Sequence, residues 1–253
     1  MTAPRARLVS SLGAVLLAVA CTNSYEIQIE TPIRPKLDVG AFQRVLVAGF
    51  LAGGTEDVDG NLETTRLLRS QLRSKSELRV IDSDVLPLMD VASEGKANDS
   101  GGQAPAAPGA IKEQKDLEPF EHLFANVEYW KKIGEEYQQP LIVTGTEMFT
   151  PLQRNQLVQR EQEVYDSFGR RRVIPIRSYQ ERKGFSLDGR FIFIDGRNGS
   201  TLHSETFAEQ VLYSANQTTP ALSSYFELMD RLIPSFLSTL SSQKIKGTRI
   251  LLQ

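Results

Sequence analysis

Arg44-Val45-Leu46-Val47-Ala48-Gly49-Phe50 is a near-continuous apolar run, the pattern of a central strand covered on both faces. After it come a loop, Leu51–Asn61, and a helix over Leu62–Ser74. Leu68 and Leu72 share one face of that helix with Leu67 beside them, and Arg66, Arg69 and Arg73 lie outward. Leu78-Arg79-Val80-Ile81-Asp82 reads as a second strand. Val127, Trp130, Ile133 and Tyr137 then recur at helical spacing between Asn126 and Gln139, with Lys131, Lys132, Glu135 and Glu136 on the wet side and Pro140 as the stop. Trp130 is expected to be a core anchor rather than a ligand platform. Leu141-Ile142-Val143-Thr144-Gly145-Thr146 is another buried strand, so the alternation predicts an α/β fold with a mixed sheet of about five strands flanked by helices.

The second half of the chain adds antiparallel elements. Arg154–Arg182 reads as an additional long polar hairpin that turns at Asp166-Ser167-Phe168-Gly169 and returns through Val173, Ile174 and Ile176. Phe185, Leu187, Phe191 and Phe193 fall on one face at period two, Asp195–Gly199 turns the chain, and Thr201–Phe207 returns. A helix over Ala221–Ser241 carries a wide apolar stripe from Leu222 to Leu240. Thr219 is its expected N-cap and Pro220 its first residue, and Pro234 is expected to kink it. From Ala92 to Lys115, glycine, proline and alanine sit among scattered charges. That composition predicts a disordered inserted loop, or a segment that folds on a partner.

The N-terminus sets the compartment. Arg5 and Arg7 precede the apolar run Leu12–Ala20, which ends in small residues and Cys21, the pattern of a secretory signal and too short to span a bilayer. Ala18-Val19-Ala20-Cys21 resembles a bacterial lipobox, which implies acylation at Cys21; the simpler alternative is a lone cysteine in an ordinary secreted leader. Thr22 rather than Asp after it implies, by resemblance to known lipoproteins, sorting to the outer membrane at its periplasmic face. The expected organisation is a signal peptide (1–20), a tether and lead-in strand (21–43), one α/β domain (44–243, with the loop at 92–115 and the hairpin at 154–182) and a tail (244–253). Tyr25, Ile27 and Ile29 alternate with Glu26, Gln28 and Glu30 in the lead-in.

At 40% hydrophobic and 24% charged, the composition is that of a globular protein. Loss of residues 1–20 removes Arg5 and Arg7 from the 29 Lys+Arg, leaving 27 against 31 Asp+Glu and a net charge of −4. That excludes a basic nucleic-acid footprint.

The order of these elements, with Val143-Thr144-Gly145-Thr146 and Phe191–Gly199 carrying most of it, resembles the α/β domain shared by the amino-terminal domain of TolB and by lipoproteins of the CsgG-like and PelC-like type. The resemblance covers roughly residues 44–240. It implies a role in envelope assembly or export, often as rings, and brings no catalytic residue or cofactor.

One departure from the pore-forming members follows from the residues. One face of Arg154–Asp166 reads Arg154, Gln156, Val158, Arg160, Gln162, Val164; the other reads Asn155, Leu157, Gln159, Glu161, Glu163, Tyr165. Neither can face hydrocarbon, where an arginine at mid-depth costs about 2–4 kcal/mol. The hairpin is therefore expected to stay in water or to pair with protein, either a neighbouring subunit or partner strand or its own sheet, with Arg170, Arg171, Arg172, Val173, Ile174 and Ile176 as candidate partner contacts.

Gly49, Gly53 and Gly54 lie between a strand and a helix without a Gly-Lys-Ser/Thr sequence or dinucleotide spacing, and read as a flexible loop. His122 and His203 stand in different elements, and Ser204 next to His203 points to the opposite face of a strand. No metal, cofactor or catalytic set is expected. The expected function is a non-catalytic, lipid-anchored periplasmic protein that self-associates or joins an envelope, secretion or export complex; the alternative is a solute- or glycan-binding lipoprotein.

Overall fold

A computed structural model describes residues 24–99, 111–214 and 217–252. Its strands are β1 (Ser24–Ile33), β2 (Arg44–Gly54), β3 (Arg79–Val80), β4 (Leu141–Tyr165), β5 (Arg171–Asp195), β6 (Thr201–Ser214) and β7 (Gln243–Leu252). Its helices are α1 (Gly60–Lys75), α2 (Leu88–Asp99), α3 (His122–Ala125), α4 (Val127–Glu136) and α5 (Ala221–Leu240). They fall into two units, Lys36–Ser241 and the two ends of the chain.

The larger unit is a mixed α/β fold. Its sheet has the order β3-β2-β4-β5-β6, with β2 parallel to β3 and β4, and β5 antiparallel to β4 and β6. The run at Arg44 lies second in this order, and Val45, Leu46, Val47 and Ala48 are fully buried because both faces of the sheet are covered. On one face, Val45, Val47, Val143 and Phe193 pack against Leu68 and Leu72 of α1 and Tyr225, Leu228 and Phe236 of α5. On the other, Leu46, Ala48, Ile142 and Ile192 pack against Leu88, Leu123, Phe124 and Trp130. Trp130 is a core anchor, and its indole N–H donates to the Leu123 carbonyl at 2.9 Å.

Several local expectations are corrected. α1 starts two residues early because Asp59 caps it, its carboxylate accepting from the Leu62 N–H at 3.0 Å. Arg69 turns inward and donates to the Val47 carbonyl of β2 at 2.8 Å. The second strand shrinks to Arg79–Val80, the length over which β2 offers it a partner. Gly53 and Gly54 belong to β2, not to a loop, and a Cβ on Gly54 would lie 1.8 Å from the Phe149 carbonyl oxygen. Gly49 sits at a register shift in β2 with φ +137°, a conformation that favours glycine.

α4 ends at Glu136, where Gln138 and Gln139 take positive φ before Pro140, and Val127 is exposed rather than packed. α5 is capped at Pro220 with no side-chain bond, so Thr219 is not its cap. Leu222 is exposed, and the helix continues past Pro234 to Leu240.

The segment expected to be a disordered loop is ordered at both ends. Ala92 is buried within α2, Ile111 is buried beside β2 and accepts from the Gly54 N–H at 2.8 Å, and two short 3-10 turns, Gln114–Asp116 and Glu118–Phe120, follow. Local composition has no knowledge of the apolar sheet face that these residues cover. Residues 100–110 lie outside the described residues.

The chain ends are corrected as well. The lead-in is the ten-residue strand β1, and the expected tail at 244–253 is its partner β7, paired antiparallel from Ser24↔Leu252 to Ile33↔Gln243.

Candidate assembly surface

β4 and β5 are each continuous for 25 residues, so the polar hairpin is not a separate element. It is the overrun of two core strands beyond their neighbours. β2 leaves β4 at Gly54↔Phe149, and β6 leaves β5 at Arg182↔Ser214, whereas β4 and β5 stay paired to Tyr165↔Arg171. The eleven residues Asn155–Tyr165 therefore project as a two-stranded arm about 36 Å long. A two-stranded ribbon is marginal in water and carries open edges on both sides.

The tip is organised by Asp166. Its carboxylate accepts from the backbone N–H groups of Phe168 at 2.9 Å and Arg170 at 3.0 Å, and Gly169 supplies φ +73°. The Arg170 and Phe168 N–H groups hold the Asp166 carboxyl below the usual range despite its partial desolvation. The arginine run is partly neutralised locally. Arg170 and Arg172 face Asp166 at 3.0 and 3.7 Å, and Arg171 meets Glu163 at 3.0 Å. Arg154 and Arg177 carry no ion pair among the described residues.

The register divides the candidate contacts between two faces. Val173 stands opposite Glu163 on the face of Leu157, Tyr165 and Tyr179, whereas Ile174 and Ile176 stand opposite Gln162 and Arg160 on the face of Val158 and Val164. Val173 and Ile174 are exposed and Ile176 is half-buried. The most prominent apolar groups were not singled out from the sequence: Tyr179, near the base of the arm, is 82% exposed, and Phe168, at the tip near Tyr165, is 81% exposed. For Tyr179 the signal was an aromatic between Ser178 and Gln180, and for Phe168 an aromatic in the turn between Ser167 and Gly169. Arg154–Arg182 holds seven arginines against four acids, net +3, so the rest of the 233-residue chain after Ala20 is net −7. Arg154 and Arg182 form the last pair of the body, and the arm beyond them, Asn155–Glu181, is net +1.

Two other places hold polar chemistry. Glu147 of β4 is fully buried between α1 and α5, where Thr64 donates to its carboxylate and Tyr225 Oη lies 3.1 Å from Oε1. Burial pushes its carboxyl up to about 7 against the opposing hydrogen bonds. A cavity of about 480 Å³ opens at the base of the arm, lined by Leu152, Gln153, Lys183, Phe185, Tyr213 and Thr219 among others. His203 lies in β6 with its ring 5.9 Å from Phe193, and His122 is exposed on α3. Among the described residues, no group of three His, Cys, Asp or Glu side chains is placed to hold a metal. No helix among them is long and apolar enough to cross a membrane. Cys21 lies outside the described residues.

No family model matches the sequence, and no curated protein matches it either. Similar solved structures include the lipoprotein GNA1162 from Neisseria meningitidis, at 13% identity and a TM-score of 0.34 over 76% of this chain and 96% of that one. PelC from Paraburkholderia phytofirmans, solved as a dodecamer, is 11% identical with a TM-score of 0.38 over 86% and 100% of the two chains. The protein CT253 from Chlamydia trachomatis is 12% identical with a TM-score of 0.32 over 79% and 98%. With TM-scores below 0.5, these likenesses place the chain in no family and assign it no role.

Proposed function

We propose that this chain is a lipid-anchored, non-catalytic protein of the bacterial envelope, held at the periplasmic face of the outer membrane by Cys21, and that it works by assembly through its β-arm. The observation that carries the reading is the arm itself. Eleven residues of each strand leave the sheet with open edges and with Tyr165, Phe168, Val173, Ile174 and Tyr179 exposed. Strand addition by a neighbouring copy or an envelope partner would satisfy the edge amides and cover these side chains.

Arg154 and Arg182 are register partners, so Asn155–Glu181 can be replaced by a short glycine-containing turn at the point where the arm leaves the body. Light scattering across a concentration series, on the full chain in detergent, is the test. The wild type is expected to associate, and the shortened chain to stay monomeric with an unchanged melting temperature. A wild type that remains monomeric throughout, or a shortened chain that associates equally well, refutes the arm.

A second reading, solute or glycan binding, is favoured by the cavity at the arm's base, whose volume is in the range of ligand pockets and which offers Phe185 beside several polar groups. It predicts a ligand-dependent rise in melting temperature that survives full dissociation to monomers.

A further inference from the structure

The β1–β7 ribbon is a unit of its own and has two chemically different faces. Ile27, Ile29 and Ile33 share one face at period two and are 43%, 37% and 45% exposed. The opposite face holds Glu26, Gln28 and Glu30, and Glu30 pairs with Lys244 at 3.3 Å and Lys246 at 3.7 Å. A two-stranded sheet has no interior, so nothing within the ribbon can dry three β-branched side chains. On the opposite face Ile250, the register partner of Glu26, stands among Glu26, Gln28, Glu30, Lys244 and Lys246, so the isoleucines of β1 gather on one side only.

Position decides what covers the isoleucines. Cys21 precedes Ser24 by three residues, and three extended residues reach at most about 11 Å. If Cys21 is acylated, as in the function proposed above, β1 starts within that distance of the acyl chains, inside the headgroup layer. An amphipathic element at that depth buries its apolar face about 5–10 Å into the headgroup–acyl boundary. The ribbon cannot go deeper, because its two open edges would leave backbone groups unsatisfied in hydrocarbon, whereas headgroups and water satisfy them at the interface. Arg249, the register partner of Ile27 and exposed on the same face, brings a cation to the level of lipid phosphates.

We propose that the β1–β7 ribbon is a membrane-contact element whose isoleucine face lies on the bilayer that holds Cys21. The acyl chains supply the anchor, and the ribbon adds a second contact with the same surface. This inference rests on the lipid-anchor reading.

The chain has one cysteine, so once its sulfur is acylated a single introduced thiol can be labelled selectively. Ile29→Cys and Gln28→Cys variants, each carrying an environment-sensitive nitrobenzoxadiazole probe, would be reconstituted as the lipidated full chain into phosphatidylethanolamine–phosphatidylglycerol vesicles. At position 29 the emission should shift to the blue and lose intensity when a nitroxide-bearing lipid is included. At position 28 it should stay water-like and be quenched by aqueous iodide. Water-like emission at both positions, with Cys21 acylated by mass spectrometry, overturns the ribbon proposal alone. A dry probe at position 29 that lipid nitroxide does not quench assigns the face to protein and overturns it as well. An unmodified Cys21 removes the anchor and the ribbon proposal together.

Discussion

Tyr225 Oη lies 3.1 Å from Glu147 Oε1, and this contact fastens the last helix to a central strand. Thr64 of α1 bonds to both partners, and Tyr225 also lies 3.3 Å from the Gly60 carbonyl, so three elements meet on one buried carboxyl. A Cβ on Gly60 would stand 1.8 Å from Glu147 Oε1, which explains a glycine at the start of a helix. The same burial that makes the contact a lock makes its charge costly.

Stability should therefore fall as pH rises. The Glu147 carboxyl titrates at about 7 in the folded chain against an ordinary value of 4.5, so the folded state holds a proton that the unfolded state has lost between those limits. The contribution is complete below about pH 4.5 and is lost by about pH 7, at about 1.4 kcal/mol per pH unit and on the order of 3 kcal/mol in all. Glu147→Gln keeps a neutral side chain and should flatten the slope. Urea unfolding of both proteins at pH 5 and pH 8 measures it; an equal pH dependence in the two would show that Glu147 is not its source.

Gly134 of α4 packs directly on the turn after β5, where an added Cβ would meet the Gly196 carbonyl oxygen at 1.8 Å. Alanine is the better helix former by about 1 kcal/mol, but the overpacking costs about 1–3 kcal/mol and forces the helix off the sheet. Gly134→Ala should lower the urea midpoint. A stabilised variant would mean that the helix adjusts without cost.

Ile111 is 7% exposed, with Gly53 close enough that a Cβ there would collide with its side chain. Ile111→Ala should cost about 2–4 kcal/mol, the range for truncating a buried isoleucine. A change within about 0.5 kcal/mol, the size of a surface effect, would restore the view that this stretch is peripheral to the core.

The anchor is tested by Cys21→Ala. The variant should move from the membrane fraction to the soluble periplasmic fraction, since the ribbon's three isoleucines alone give weak, reversible binding. Retention as tight as wild type after a carbonate wash would remove Cys21 from the account.

Sequence alone determined what depends on local pattern. Continuous apolar runs at Val45–Ala48 and Leu141–Val143 marked strands buried on both faces, and 3.6-residue spacing marked the helices around Leu68, Trp130 and Tyr225, because solvent exclusion imposes those periods directly. The arm's polarity was legible too, since arginine and glutamine on one face and glutamate on the other exclude a lipid-facing strand. What the pattern could not carry was pairing. Whether Leu141–Thr146 and Arg154–Tyr165 are one strand, which of Val173 and Ile174 faces which side, and whether the tail pairs with the lead-in all depend on register between residues far apart in the chain. Glu147 is the clearest case. In sequence it is one carboxylate after Thr146, and only the convergence of α1 and α5 on β4 strips it of water and moves its charge to neutral pH.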